Sequence, residues 1–156
     1  LEIPAARASR TVNSLRTSQE SMSYPVSKID GVSSFAAAKL KVAGIRTAEA
    51  LLERARTAKG RKLLAAETGL CEKQLLEWAN IADCMRIKGL GMARTQLLRA
   101  AGVATVREFS YRNPGRLAQA IKDANDKRKL VHVAPSEKEI GQMIDRARKL
   151  PLKISY

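Results

Sequence analysis

Apolar residues recur at helical spacing through most of the chain, and short polar segments separate the apolar runs. Leu75, Ala79 and Ala82 have the spacing of one helix face within a stretch that runs from Glu72 to Met85. Strand-like alternation is almost absent, with Leu130–Val133 as the one weak candidate. The pattern therefore predicts an all-α fold of about eight short helices with short connections.

Residues with a side-chain oxygen precede most of the predicted helices. Ser, Thr and Asn are typical N-caps, because their side chains accept a hydrogen bond from an amide of the first turn. Ser136 with Glu139 three residues later forms a capping-box pattern before a last helix at 136–150, which Pro151 ends. The other predicted N-caps are Ser33 or Ser34, Thr47, Thr57, Thr105 and Asn113.

Two stretches align without a gap when the sequence is shifted by 58 residues. Ile29–Val32 lies over Ile87–Leu90, and Ala43–Thr47 lies over Ala101–Thr105. The six identities in the aligned windows fall at turn positions and at apolar positions, as a duplicated structural unit would require.

These boundaries predict one all-α domain at 22–156. We assign repeat one to 26–83, repeat two to 84–132 and a C-terminal helix to 136–150. Residues 1–21 are rich in Ser, Thr and Arg and have no clear period, so we interpret them as an N-terminal extension, either upstream or added for expression.

The charge points to a polyanionic partner. Lys and Arg number 29 against 15 Asp and Glu, a formal net charge of +14, whereas a small domain usually carries about 2–8. A field of this sign attracts nucleic acid, with DNA as the first partner to consider and RNA or another polyanion as alternatives. Repeat two holds 11 basic and 3 acidic residues, a net +8, against +3 in repeat one.

The rest of the composition disfavours several other classes. Cys71 and Cys84, with His132 as the single histidine, form neither a zinc spacing nor a disulfide framework. We expect both thiols to be small apolar residues in a reducing cytoplasm, and we expect no metal or other cofactor. No run approaches the ~18 apolar residues of a membrane span, so no membrane partner is expected. Aromatic residues make up only 4%, which argues against single-strand binding by stacking, and Trp78 is expected in the core.

The second repeat carries a recognisable hairpin. Ile87-Lys88-Gly89-Leu90-Gly91, followed by a predicted helix, resembles the helix-hairpin-helix motif, in which Gly-apolar-Gly joins two helices. The resemblance covers most of 26–133 and is closest to bacterial tandem helix-hairpin-helix proteins classed as a domain of unknown function. Trp78-Ala79-Asn80 and Arg112-Asn113-Pro114 are also similar to that family. The resemblance implies a DNA-binding role.

Elementary chemistry supports an anion site at such a hairpin. A tight turn that feeds a helix exposes backbone amides without intrahelical partners. Glycine allows positive φ and close approach of a ligand, and the helix dipole favours a phosphate. Lys88 and Arg94 flank the hairpin and would add charge, while Leu90 should point inward. Contacts of this kind hold the backbone and do not specify sequence.

The first hairpin departs from this pattern. Ser33 replaces the second glycine, and Asp30 stands where the other copy has Lys88, so we expect the second hairpin to be the principal contact. The candidate nucleic-acid-binding residues are Lys88, Gly89, Gly91, Arg94, Gly31, Ser33, Arg99 and Lys39.

Two alternatives stay open. The chain could be a protein-interaction or scaffold module with incidental basic charge. It could also be an enzyme of nucleic-acid processing, which the residues favour least. The helix-hairpin-helix glycosylases need an aspartate downstream of the hairpin, and 103–116 contains Glu108 but no Asp. We therefore expect a binding protein without catalytic residues.

Overall fold

A computed structural model describes residues 24–156, and this part of the chain folds into helices and turns. Its α-helices are α1 (Ser34–Val42), α2 (Ala48–Ala55), α3 (Ala58–Thr68), α4 (Glu72–Cys84), α5 (Gly91–Ala100), α6 (Val106–Ser110), α7 (Pro114–Arg128) and α8 (Glu137–Lys149). A 3-10 turn at Val26–Lys28 precedes α1. The all-α prediction is confirmed. The interpretation of 1–21 as an extension lies outside the described residues.

Side-chain oxygens start six of these helices, as the sequence predicts. The six caps each accept a hydrogen bond from the amide three residues further on, and they are Ser33, Thr47, Thr57, Thr105, Asn113 and Ser136. Only half of the predicted capping box forms at α8. Ser136 accepts from the Glu139 amide at 3.2 Å, but the Glu139 carboxylate pairs with Arg94 at 3.1 Å. A long-range ion pair has replaced the local contact.

The buried hydrophobic residues form two clusters, one within 26–82 and one within 84–147. We call these two parts of the chain the first half and the second half. The first cluster centres on Leu40, Leu51 and Leu75, which come from α1, α2 and α4. The second includes Leu98 and Phe109, which are fully buried. Trp78 belongs to the first cluster, as expected.

The turns of the two halves repeat the same hydrogen bonds 58 residues apart. The amide of Ile45 donates to the Leu40 carbonyl at 2.8 Å, and that of Val103 donates to the Leu98 carbonyl at 3.0 Å. Three more pairs of contacts recur at this separation: Ile29–Val26 with Ile87–Cys84, Val32–Ile29 with Leu90–Ile87, and Arg54–Ala43 with Arg112–Ala101.

The last helix of each half also corresponds. Helices α4 and α8 both have 13 residues. They bury side chains at matching positions, 65 residues apart: Leu75, Trp78, Ala79 and Ala82 in α4, and Ile140, Met143, Ile144 and Ala147 in α8. Helix α4 packs on α2, and α8 packs on α6 and α7. Helix α8 thus stands in the second half where α4 stands in the first.

Residues 151–156 run back as an extended strap from α8 onto the first half. The Ser155 amide donates to the Arg56 carbonyl at 2.8 Å, and the buried guanidinium of Arg61 donates to the Ser155 carbonyl at 2.8 Å. The other polar contacts of the strap are Arg86 with Pro151, Lys153 with Glu53, and Tyr156 with Asn80. The strap therefore joins the end of the second half to the first.

The weak strand candidate at 130–133 is wrong. The buried side chain of Asn125 takes the place of a strand partner, since its Nδ2 donates to the Val131 carbonyl and its Oδ1 accepts from the Val131 amide, both at 3.0 Å. The only β-bridge in 24–156 is an isolated one between Pro25 and Thr47.

The two cysteines differ in exposure. Cys71 is exposed at the N-cap of α4, while Cys84 is buried at the end of that helix. Burial removes the thiolate of Cys84 from water and raises the pKa of its thiol to about 12.

Native protein at pH 8 should therefore react with a thiol reagent at Cys71 alone. Cys84 stays a protonated, inaccessible thiol far below pH 12 and should react only after denaturation. Mass spectrometry of the labelled protein measures this. Cys71→Ser is the control and should take up no label in the native state. Rapid labelling of both thiols in the native protein would contradict the buried position of Cys84.

Gly60 tests the packing of α3 against α2. A Cβ at Gly60 would overlap the carbonyl oxygen of Arg54, whereas a Cβ at Gly141 in α8 would meet only Pro114 carbons at 3.9 Å or more. Gly60→Ala should destabilise by about 1–3 kcal/mol. Gly141→Ala should stabilise by about 0.5–1 kcal/mol, because alanine is the better helix former. Urea unfolding measures both, and equal signs would be inconsistent with this packing.

Candidate nucleic-acid interface

The second hairpin, residues 85–91, joins α4 to α5 and shows a buried and an exposed side. Ile87 and Leu90 are buried, and the Leu90 amide donates to the Ile87 carbonyl at 3.1 Å. The inward position expected for Leu90 is confirmed. Lys88 and Gly89 are exposed at the tip between these two anchors.

Open amides mark the exposed side of this hairpin. Gly89 and Gly91 have φ of 93° and 64°, in the left-handed region that favours glycine. Among residues 24–156, no acceptor faces the amides of Gly89, Gly91 or Met92, and Leu90 at the N-cap position offers no side-chain oxygen. Unpaired amides at the start of a helix are suited to an anion.

Two arginines hold the carbonyls of the same hairpin. Arg146 of α8 donates from Nη1 to the Lys88 carbonyl at 2.8 Å, and Arg94 of α5 donates from Nη1 to the Gly89 carbonyl at 3.2 Å. Arg94 also pairs with Glu139 of α8 at 3.1 Å. The carbonyls of Lys88 and Gly89 thus each accept a hydrogen bond from an arginine, whereas the amides of Gly89 and Gly91 stay open.

Arg146 is not among the residues that the sequence predicts for the site, because the predicted C-terminal helix at 136–150 lies outside both repeats. The signal that could have found it is the match between α4 and α8 at a separation of 65 residues. A Cβ at Gly31 would lie 3.4 Å from Nε1 of Trp78, and one at Gly89 would lie 3.9 Å from Sδ of Met143. Because Trp78 and Met143 are corresponding positions, α8 passes beneath the second hairpin as α4 passes beneath the first.

The first hairpin, residues 26–33, supplies its own cap for the helix that follows it. Ser33 has φ of −72°, and its hydroxyl caps α1 by accepting from the Ala36 amide at 3.1 Å. The positions that correspond to Arg94 and Arg146 are Ala36 and Ile81, both buried. Among the residues that the structure describes, no arginine donates to a carbonyl of the first hairpin, and Ser33 already satisfies one helix amide.

The remaining candidates lie apart from the second hairpin. Arg99 pairs with Glu77 of α4 at 2.7 Å and so ties α5 to the first half. Lys39 lies over the ring of Phe35 on α1, with Nζ at 5.3 Å from the ring centroid. The structure thus groups Lys88, Gly89, Gly91 and Arg94 at the second hairpin, and it places Gly31, Ser33, Lys39 and Arg99 elsewhere.

Arginine and lysine have different positions in the structure. Within residues 24–156, seven arginines donate to main-chain carbonyls, and they are Arg54, Arg61, Arg86, Arg94, Arg112, Arg146 and Arg148. Of the lysines in 24–156, only Lys153 pairs with a carboxylate. The net charge of a repeat therefore counts many guanidinium groups that already have a partner. The lysines form most of the positive surface without a partner.

Comparison with known proteins assigns the chain to a family. Residues 30–150 match the model of a family described as Domain of unknown function (DUF4332), so the chain belongs to this family. No curated protein and no solved structure matches the chain. None of the helices in 24–156 is long and apolar enough to cross a membrane.

Arg146→Ala should loosen the second hairpin with little effect on global stability. The hydrogen bond from Arg146 to the Lys88 carbonyl is exposed, so its loss should cost no more than about 1 kcal/mol. Amide hydrogen exchange at Leu90, whose N–H closes the turn, should nevertheless become faster than in wild type. Lys149→Ala on the same helix is the control. Wild-type exchange at Leu90 in the Arg146 variant would show that this arginine does not hold the hairpin.

Proposed function

We propose that this protein binds the phosphate backbone of nucleic acid, independently of sequence, through the second hairpin. The observation that carries the proposal is the set of open amides at Gly89, Gly91 and Met92, next to the exposed and unpaired Lys88. Amides at a turn before a helix form an anion-binding concavity, and phosphate is the anion that nucleic acids present. DNA is the first ligand to test, and RNA or another polyanion is the alternative.

We further propose that the two halves are tandem helix-hairpin-helix repeats. The hydrogen bonds that recur 58 residues apart support this, as does the match of α8 with α4. Two hairpins related in this way could each hold one strand across a minor groove. The protein would then be a binding module and not an enzyme.

The two hairpins contribute unequally under this proposal. The second has its carbonyls held by Arg94 and Arg146, which places positive charge behind the open amides. The first lacks these arginines, has Asp30 at its tip, and uses Ser33 to cap α1. The first hairpin therefore acts mainly as the structural partner of the second.

Arg94 has a different role from that of Lys88. Its guanidinium donates to the Gly89 carbonyl and pairs with Glu139, so it braces the hairpin and adds to the local field. Lys88 has no carboxylate partner among the described residues and is free to contact a phosphate directly. Charge reversal at Lys88 is therefore a cleaner test than reversal at Arg94, which would also break the brace.

Lys88→Glu should weaken binding to duplex DNA of any sequence. Loss of one phosphate contact should lower the affinity roughly 5- to 10-fold at 0.1 M salt and reduce the slope of log K against log salt by about 1. The control is Lys73→Glu, which makes the same charge change at the other end of α4, roughly 16 Å of helix away. Fluorescence anisotropy over a salt series measures both. Equal losses for the two variants would mean that net charge, and not the hairpin, governs binding.

The salt series also separates the scaffold alternative from the proposal. Phosphate binding should fall steeply as salt rises, because counterions are released from the nucleic acid. An apolar protein–protein contact would change little. Absence of nucleic-acid binding by the wild type at low salt would overturn the proposed function.

A further inference from the structure

Helix α1 presents apolar side chains to solvent. Phe35 is 69% exposed and Val42 is 89% exposed, and Ala38 between them is exposed too. These positions share one face of the helix, which we call the outer face of α1. A phenylalanine ring that is mostly in water contributes little to the core and is available to a partner.

Helix α1 differs at one position from α5, the corresponding helix of the second half. Helix α5 packs on α7, and its Leu97 is fully buried. The corresponding position in α1 is Lys39, which is exposed. Helix α1 buries only Ala36 and Leu40, so within 24–156 its outer face has no packing partner.

Positive charge surrounds this face. Lys39 lies over the Phe35 ring with its Nζ at 5.3 Å from the centroid, a cation–π geometry. Lys41 is exposed nearby on α1, the helix has no acidic residue, and neither lysine pairs with a carboxylate among the described residues. A flat apolar ring next to an unpaired ammonium group is complementary to a nucleotide, which joins a flat base to a phosphate.

We propose that Phe35 is a stacking platform for one unpaired nucleobase, which displaces the Lys39 ammonium group from over the ring, and that the displaced Lys39 contacts the phosphate beside that base. This inference rests on the proposed function and names its substrate class. Phe35 lies in the first turn of α1, two residues after Ser33 of the first hairpin. If the first hairpin holds the second strand, as the tandem-repeat proposal allows, that strand runs close to the ring.

The geometry also selects the form of the nucleic acid. Both faces of a base in an intact duplex are covered by its neighbours, so the ring can stack only on a base that has left the helix. The ligand is then a nucleic acid with an unpaired base, such as a gap, a bulge or a single-stranded end. The low aromatic content does not oppose this, because a single exposed ring is enough for a single base.

The test compares two DNA probes that differ by one unpaired base. One is a full duplex, and the other carries a single unpaired 2-aminopurine at its centre. Phe35→Ala should lower the affinity for the bulged probe at least about fivefold and change that for the duplex by less than about twofold. Val42→Ala is the matched control, because it removes apolar surface from the same face without removing the ring. Lys88→Glu should lower the affinity for both probes, because it removes the phosphate contact.

Fluorescence of the 2-aminopurine reports stacking directly. Wild type should change the emission of the bulged probe at saturation, and Phe35→Ala should not. If Phe35→Ala matches wild type on both probes while Lys88→Glu weakens both, the stacking inference is wrong and the proposed function stands. If wild type binds neither probe, the stacking inference and the proposed function are both wrong. A wild-type dimer that Phe35→Ala dissociates in sedimentation would assign the outer face to a second copy of the chain and overturn the inference.

Discussion

Short helices leave many backbone carbonyls without an intrahelical partner, because the last four carbonyls of every helix have none. In residues 24–156 arginine supplies much of what is missing. Arg54 and Arg112 donate to the carbonyls that end α1 and α5, and Arg148 donates to the carbonyl at the end of α6. A guanidinium has five donors in a rigid fork, so one arginine can satisfy a helix end and still reach a second element. The packing of the helices and the shape of the second hairpin both depend on these contacts.

This use of arginine changes the meaning of the net charge. A formal charge of +14 invites a single interpretation as an attractive field. Within residues 24–156 the structure separates arginines, most of which hold carbonyls or carboxylates, from lysines, which mostly face solvent unpaired. Around the second hairpin the two groups act together, since Arg94 and Arg146 fix the loop on which Lys88 is presented. An arginine that donates to a neutral carbonyl keeps its charge, so the arginines contribute to the attractive field as well as to local architecture, and the lysines are the groups free to contact a polyanion.

The sequence predicts best where the interaction is local. The caps at Thr47 and Thr105, the left-handed turn glycines and the inward Leu90 all follow from residues within a few positions of one another. The same sequence does not distinguish the exposure of Cys71 from that of Cys84, and it does not identify Arg146. In those cases the outcome depends on which helix lies beside which, and spacing along one helix carries no such information. Glu139 shows that a distant interaction can replace a local one. The capping box predicts that its carboxylate contacts the start of α8, but the carboxylate pairs with Arg94.

The strap has a consequence for the order in which the chain folds. Arg61 is buried, and one of its two carbonyl partners belongs to Ser155, 94 positions later. During synthesis the first half leaves the ribosome well before Ser155 exists, at a rate of about 5–20 residues per second. Until Ser155 is made, one of the two carbonyl partners of this buried guanidinium is missing, and only water can take its place. The hydrogen bonding of the first half is therefore complete only once the strap is present.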